Sequence, residues 1–207
     1  GNRGDIDRFD DYLTDLNALI YGLLLPQTGL ASYSLFGHSF GGLLGAHWAI
    51  RAPKELKAVI LQSALFQVGF SMPPLKAALV RKLAPWRPSW TVSLSLNPRW
   101  LSHDPKVIQQ YADDPLVHNH ITLRCAVAME GAMHAALAGA PRITHPTLVM
   151  CGEEDCVVSP AACKQFHERL QCAKRLHAFP QCYHELHHES VFPTVMEEVV
   201  QWVRAHG

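Results

Sequence analysis

The chain has 207 residues, 48% of them apolar, and its 18 basic residues are matched by 18 acidic ones. That balance, with no basic run, excludes an electrostatic nucleic-acid footprint, and no apolar stretch reaches the length of a transmembrane helix. One domain with an inserted subdomain and a sizeable core fits the length.

The first predicted element is a helix opening at Asp5-Ile6-Asp7-Arg8-Phe9. Ile6, Phe9, Leu13, Leu16, Ile20 and Leu23 recur at helical spacing as one continuous apolar stripe. Asp5, Asp7, Asp10 and Asp11 crowd its first turns, where the dipole favours negative charge, and Pro26 and Gly29 end it. Tyr33-Ser34-Leu35-Phe36 reads as a short buried strand, and residues 43–51 as a helix stopped by Ala52-Pro53. Between them lies Gly37-His38-Ser39-Phe40-Gly41-Gly42, a serine pinned between strand and helix with glycine two residues either side. This is the nucleophile-elbow pattern G-x-S-x-G. The turn is so tight that its flanking positions tolerate almost no side chain, and the strain presents the Ser39 hydroxyl above the sheet edge. The helix that follows aims its first N–H groups and its positive dipole end where an oxyanion would form. A Gly-rich turn with an incidental serine is the plainer alternative, and the flanking strand and helix weigh against it. Residues 56–61 give a second strand, so strand–helix–strand with short links makes a parallel βαβ unit.

From about residue 66 to 140 the character changes. Prolines at 73, 74, 85, 88, 98, 105 and 115 divide the segment into short helices, and no strand is predicted. It reads as an inserted helical cap, residues 66–140, on a core made of residues 1–65 and 141–207. Its first helix carries Leu75, Ala78, Leu79 and Leu83 on one side and Lys76, Arg81 and Lys82 on another. Such a face either rests on a lipid surface or packs down on the core. Trp86, Trp90 and Trp100 are candidates for lining an apolar pocket, or for ordinary subdomain packing.

The strand pattern resumes at residues 146–152 and runs into Glu153-Glu154-Asp155. A helix from Pro160 to Leu170 and a strand from Arg175 to Phe179 follow, then Cys182-Tyr183-His184-Glu185-Leu186-His187-His188-Glu189. A last amphipathic helix carries Val195, Val199, Trp202 and Val203. All six cysteines lie in the second half without a C-x-x-C pair. With no export signal they read as reduced thiols, mostly buried, of an intracellular, cytoplasmic protein.

In open parallel sheets functional groups gather beyond the carboxyl ends of the strands. Ser39, the acidic cluster ending at Asp155, and His184 all sit at such ends, in the order serine, acid, histidine. A serine hydroxyl is a poor nucleophile near neutral pH, so an imidazole must take its proton during attack and hand it to the leaving group. A buried carboxylate fixes the imidazole's tautomer and stabilises the imidazolium. Asp155 is preferred over Glu153 and Glu154 because it lies furthest into the loop, before Val157-Val158. Glu153 and Glu154 read as solvated loop residues.

These stretches resemble the monoacylglycerol lipases and lysophospholipases of the α/β-hydrolase superfamily. The resemblance rests on residues 37–42, Asp113-Asp114-Pro115-Leu116-Val117, residues 152–158, and Tyr183-His184-Glu185-Leu186-His187, which together span nearly the whole chain. It implies an α/β fold, a parallel sheet of the α/β-hydrolase type (the C-terminal four strands) with an inserted helical cap. It implies Ser39, Asp155 and His184 as the catalytic residues, the histidine after the tyrosine being chosen over His187 and His188. The Phe40 N–H becomes an oxyanion-hole donor, no cofactor is required, and the substrate is a lipid carboxylic ester held under the cap. Family members begin with further strands and a His-Gly-rich loop that supplies a second oxyanion donor, and this chain starts past them. The elbow strand is therefore expected at a sheet edge, in a longer protein or covered by another chain such as a second copy. Losing one oxyanion donor costs on the order of 100-fold to 1000-fold in rate, so a remnant with little activity is a further expectation.

Two rival readings remain. His184-Glu185-Leu186-His187-His188 satisfies H-E-x-x-H literally, which on a helix would place His184 and His188 on one face for zinc with Glu185 as general base. The segment follows a strand and Pro180, whereas that motif needs a helix already running. The other rival is a non-catalytic hydrolase scaffold serving as a binding module. His38 reads as shaping the elbow by packing, and His47 and His134 as core or surface residues. His118, His120 and His145 border loops and carry no role.

Overall fold

The computed structural model describes residues 2–71, 73–94 and 96–207. Its first helix starts later than the aspartates suggest. α1 runs Phe9–Asn17, with the Arg8 N–H donating to Asp11 Oδ2 at 3.0 Å. Asp5 lies outside it, because Arg124 Nε and the Thr122 hydroxyl donate to its carboxylate at 2.7 and 2.8 Å. These partners hold its carboxyl at about 2, below the usual range. A π-helical stretch, Ala18–Leu24, follows, and then α2, Leu25–Thr28, closed by Gly29 at a φ of 67°. Pro26 sits in the first turn of α2, where its missing N–H costs nothing. The π turn shifts the phase of the stripe, so Leu13 and Ile20 are buried while Leu23 is exposed.

β1 (Tyr33–His38), α3 (Phe40–Ile50) and β2 (Leu56–Gln62) form the expected parallel unit. α3 is apolar nearly all round and buries Leu43, Ala46, Trp48 and Ala49, as a helix enclosed on both sides must.

The inserted segment holds α4 (Pro74–Leu83), β3 (Thr91–Ser93), α5 (Pro105–Asp113), β4 (His120–Thr122) and α6 (Leu123–Gly139). β3 and β4 pair antiparallel, two three-residue strands too short to leave a periodic signal. Ala132 and Ala136 of α6 join the main core beside Ala46 and Ala49, so this helix belongs as much to the core as to the insertion. α4 lines a cavity with Ala77, Val80 and the exposed Arg81. Leu75 and Leu79 face solvent at 83% and 53% exposure, and Trp86 at 76%. In Asp113-Asp114-Pro115-Leu116-Val117, the Leu116 N–H donates to Asp114 Oδ1 at 2.8 Å and the Leu116 side chain is exposed.

β5 (Thr147–Gly152), α7 (Pro160–Arg169), β6 (Lys174–Phe179) and α8 (Phe192–His206) complete the chain. The parallel sheet has the order β1-β2-β5-β6, with β1 at an edge. One face packs on α3, α6 and α7. The other packs on α8, where Val195 and Trp202 meet Ala58, Ile60, Leu148 and Met150. All six cysteines are free thiols, of which Cys156 is exposed and Cys172 partly so. Among the described residues no helix is long and apolar enough to cross a membrane.

Candidate active site

Ser39 caps α3 at φ 54°, ψ −119°, a backbone conformation that residues with a side chain seldom adopt. The strain is held by four backbone hydrogen bonds. The Ser39 N–H donates to Gln62 O at 3.0 Å, and the Ser39 carbonyl accepts from Gly42, Leu43 and Leu65 at 3.0–3.2 Å. The glycines contribute unequally. A Cβ on Gly37 would strike the Gly41 carbonyl, and one on Gly42 would lie 2.6 Å from the Ala64 Cβ. A Cβ on Gly41 would meet nothing within 4 Å among the described residues, so the second glycine of the pattern is sterically free of them and Gly42 is the constrained one.

The sheet brings the three predicted side chains together. His184 Nε2 lies 3.0 Å from Ser39 Oγ, and His184 Nδ1 lies 2.8 Å from Asp155 Oδ2. Asp155 follows β5, and its Oδ1 accepts the Val157 and Val158 N–H groups at 2.8 and 3.0 Å. The carboxylate thus spends one oxygen on its own loop and offers the other to the imidazole. Glu153 makes an exposed pair with Lys164 and Glu154 is exposed, as read from the loop. His184 follows β6 in a loop clasped from three directions. Its carbonyl accepts the Ser63 hydroxyl at 2.8 Å, the Trp100 carbonyl accepts its N–H at 3.4 Å, and the Leu101 carbonyl accepts the Glu185 N–H at 2.8 Å. Phe40 opens α3, so its N–H belongs to a first turn without intrahelical acceptors.

His187 and His188 go elsewhere. His187 Nδ1 meets Gln62 Nε2 at 2.8 Å, and His188 Nδ1 meets Glu185 Oε2 at 2.7 Å. Residues 186–188 form a single 3₁₀ turn, so the helix on which His184 and His188 would share a face for zinc is not formed. His38 meets the same Gln62 Nε2 at 3.2 Å, with its ring 4.8 Å from that of His184. Burial, reinforced by the neighbouring His184 and His187, pushes the His38 imidazole down to about 3. His47 Nε2 bonds the Ala132 carbonyl at 2.9 Å, linking α3 to α6.

Gln62 and Ser63 were invisible to motif reasoning. The signal was there: a polar residue, Gln62, ends the buried run 58–62 of β2, and a second, Ser63, follows it, next to the elbow strand. Beyond them lies an apolar cavity of about 280 Å³, lined by Leu65, Val68, Phe70, Val80, Met129 and Met133 among others. The Leu65 N–H that bonds Ser39 O starts its wall. Arg81 and Glu130 also line it and pair at 2.6 and 2.9 Å, joining α4 to α6. None of Trp86, Trp90 and Trp100 lines this cavity. The first two point to solvent, and Trp100 stacks on Phe70 at 5.9 Å.

The family described as serine aminopeptidase, S33 matches residues 1–191. An uncharacterized abhydrolase domain-containing protein of Dictyostelium discoideum is 30% identical over 173 residues, 82% of this chain and 18% of that protein. The monoacylglycerol lipase of Mycolicibacterium smegmatis is 25% identical over 208 residues, covering 100% of this chain and 74% of the lipase. The crystal structure of Paleococcus ferrophilus monoacylglycerol lipase superposes with a TM-score of 0.86 at 26% identity, covering 100% of this chain and 79% of that one. The chain therefore spans less than a fifth of the Dictyostelium relative and about three quarters of the two lipases.

Proposed function

The chain belongs to the serine aminopeptidase S33 family of α/β-hydrolases, and from that premise we propose that it hydrolyses lipid carboxylic esters through an acyl-Ser39 intermediate. The observation that carries this is the unbroken hydrogen-bonded line from Asp155 through His184 to Ser39 at the carboxyl end of the sheet. In this reading Asp155 holds the His184 Nδ1–H, leaving Nε2 to take the Ser39 proton as Oγ attacks the ester carbonyl. The oxyanion meets the Phe40 N–H and the dipole end of α3. Imidazolium His184 then protonates the leaving alcohol, and water, activated by the same nitrogen, releases the fatty acid. None of these steps needs a cofactor.

The family description names a peptidase, and the cavity argues for an ester with an acyl chain instead. An N-terminal ammonium needs a free carboxylate, whereas Glu130 in this wall is bound by Arg81, which holds its carboxyl below the ordinary value. The remaining wall is largely aliphatic, aromatic and thioether surface. About 280 Å³ is at the small end of ligand sites, which favours medium acyl chains on glycerol or a lysophospholipid head group. Residues 66–140 act as the cap over this chain. Leu75, Leu79 and Trp86, exposed with Lys82 beside them, rest on an anionic lipid surface that delivers the substrate.

Fluorophosphonate labelling tests the reading. An adduct on Ser39, located by peptide mass spectrometry and absent from Ser39→Ala, is expected. No adduct on folded wild-type protein would leave the chain a non-catalytic scaffold. Faster cleavage of aminoacyl amides than of monoacylglycerols would overturn the substrate class.

A further inference from the structure

A second cluster lies beside the site. One ring nitrogen each from His38 and His187 and a carboxylate oxygen of Glu185 fall within 4.8 Å of one another. Two histidines and a glutamate make a donor set typical of zinc, which tolerates three protein ligands and an open fourth position. This set differs from the literal H-E-x-x-H pair, since His184 and His188 are engaged by Asp155 and Glu185.

Gln62 makes the cluster more than a chance meeting of side chains. It is fully buried, and its Nε2 contacts Nδ1 of both His38 and His187, while its Oε1 has no hydrogen-bond partner among the described residues. With both Nδ1 atoms held, the Nε2 atoms are the nitrogens left to a cation. Turning the amide over places its carbonyl against both Nδ1–H groups and leaves both Nε2 lone pairs free. A carbonyl behind the far nitrogen is the outer support that metal-bound histidines commonly have. Glu185 supplies the negative charge, and His188 Nδ1 meets its Oε2 at 2.7 Å.

We propose that His38, Glu185 and His187 form a zinc-binding site whose occupation inhibits the neighbouring hydrolase site. The His38 and His184 rings lie 4.8 Å apart, so a divalent cation on this cluster opposes the positive charge that His184 must acquire during acyl transfer. The inhibitory part rests on the proposed esterase reading, whereas the binding part does not.

The experiment titrates the metal-stripped full chain with zinc chloride by calorimetry, alongside Glu185→Gln and His187→Asn. One micromolar site is expected, weakened at least about tenfold in each variant. Glu185→Gln keeps the backbone bond to Leu101 and carries the test if His187→Asn fails to fold. Cobalt(II) in place of zinc should give ligand-field bands without a thiolate charge-transfer band. Wild-type affinity in the variants, or a thiolate band, would overturn the site. Ester hydrolysis is then measured with and without zinc, each protein normalised to its own zinc-free rate. Loss of rate that parallels occupancy and weakens in Glu185→Gln supports inhibition, and unchanged rates at full occupancy overturn it. Intact zinc binding in a chain without any hydrolysis would sink the esterase reading alone.

Discussion

Asp155 and His184 meet at 2.8 Å with both side chains out of solvent, while the other Asp155 oxygen is committed to the Val157 and Val158 N–H groups. An amide at position 155 can keep the two backbone contacts only by turning its NH₂ toward Nδ1. That forces His184 into the tautomer with Nε2 protonated, unable to take the Ser39 proton. Asp155→Asn should therefore lower kcat on a monoacylglycerol by roughly 10⁴-fold with little change in the unfolding midpoint. Steady-state kinetics beside urea melts check this. A loss smaller than tenfold would show that another acid orients His184.

The elbow glycines give a stability prediction. Gly42→Ala drives a methyl into Ala64 and should cost about 1–3 kcal/mol. Gly41→Ala meets open space early in α3, so it should be neutral or slightly stabilising. Urea denaturation of the two single variants separates them, and equal losses would contradict the contact geometry.

Filling the cavity should shorten the preferred substrate. Ala77→Phe projects a ring from α4 into the space bounded by Val80 and Met133. The kcat/KM for medium-chain esters should fall about tenfold or more, while short-chain esters, which leave the cavity empty, are cleaved at the parent rate. Uniform loss across an ester series would mean that the acyl chain lies elsewhere.

Acid should destabilise the fold through His38. Its imidazole protonates near 3 in the folded chain against 6.5 ordinarily. Above 6.5 folded and unfolded chains are both neutral there, and the full stability is present. As pH falls below that value the unfolded chain binds a proton that the folded chain refuses, so stability declines toward pH 3. His187, also shifted down by burial, adds to the decline. His38 alone contributes a slope of at most about 1.4 kcal/mol per pH unit. His38→Asn should flatten the dependence of urea stability between about pH 7 and pH 4. Identical slopes would show that His38 ionises freely in the folded protein.

Local patterns were enough for the elbow, the βαβ unit and the serine–acid–histidine order. Each of those signals is carried by residues a few positions apart: glycines against a tight turn, alternation against a strand, an acid at a strand end. Even the choice of Asp155 over its neighbours follows from its place in the loop. Three things needed the folded chain. The direction in which α4 turns its leucines depends on α6 across the cavity. The capture of Asp5 by Arg124, more than a hundred residues away, moved the start of α1. Gln62, set beside His38 by strand register, reaches His187 across 125 residues. Sequence alone determined which groups stand at the carboxyl ends of the strands, because chain order and periodicity encode it. The family resemblance had already singled out His184 as the partner of Ser39, whereas only the tertiary structure decided which histidines gather beside Glu185, because distances of a few ångströms depend on how the strands and loops pack.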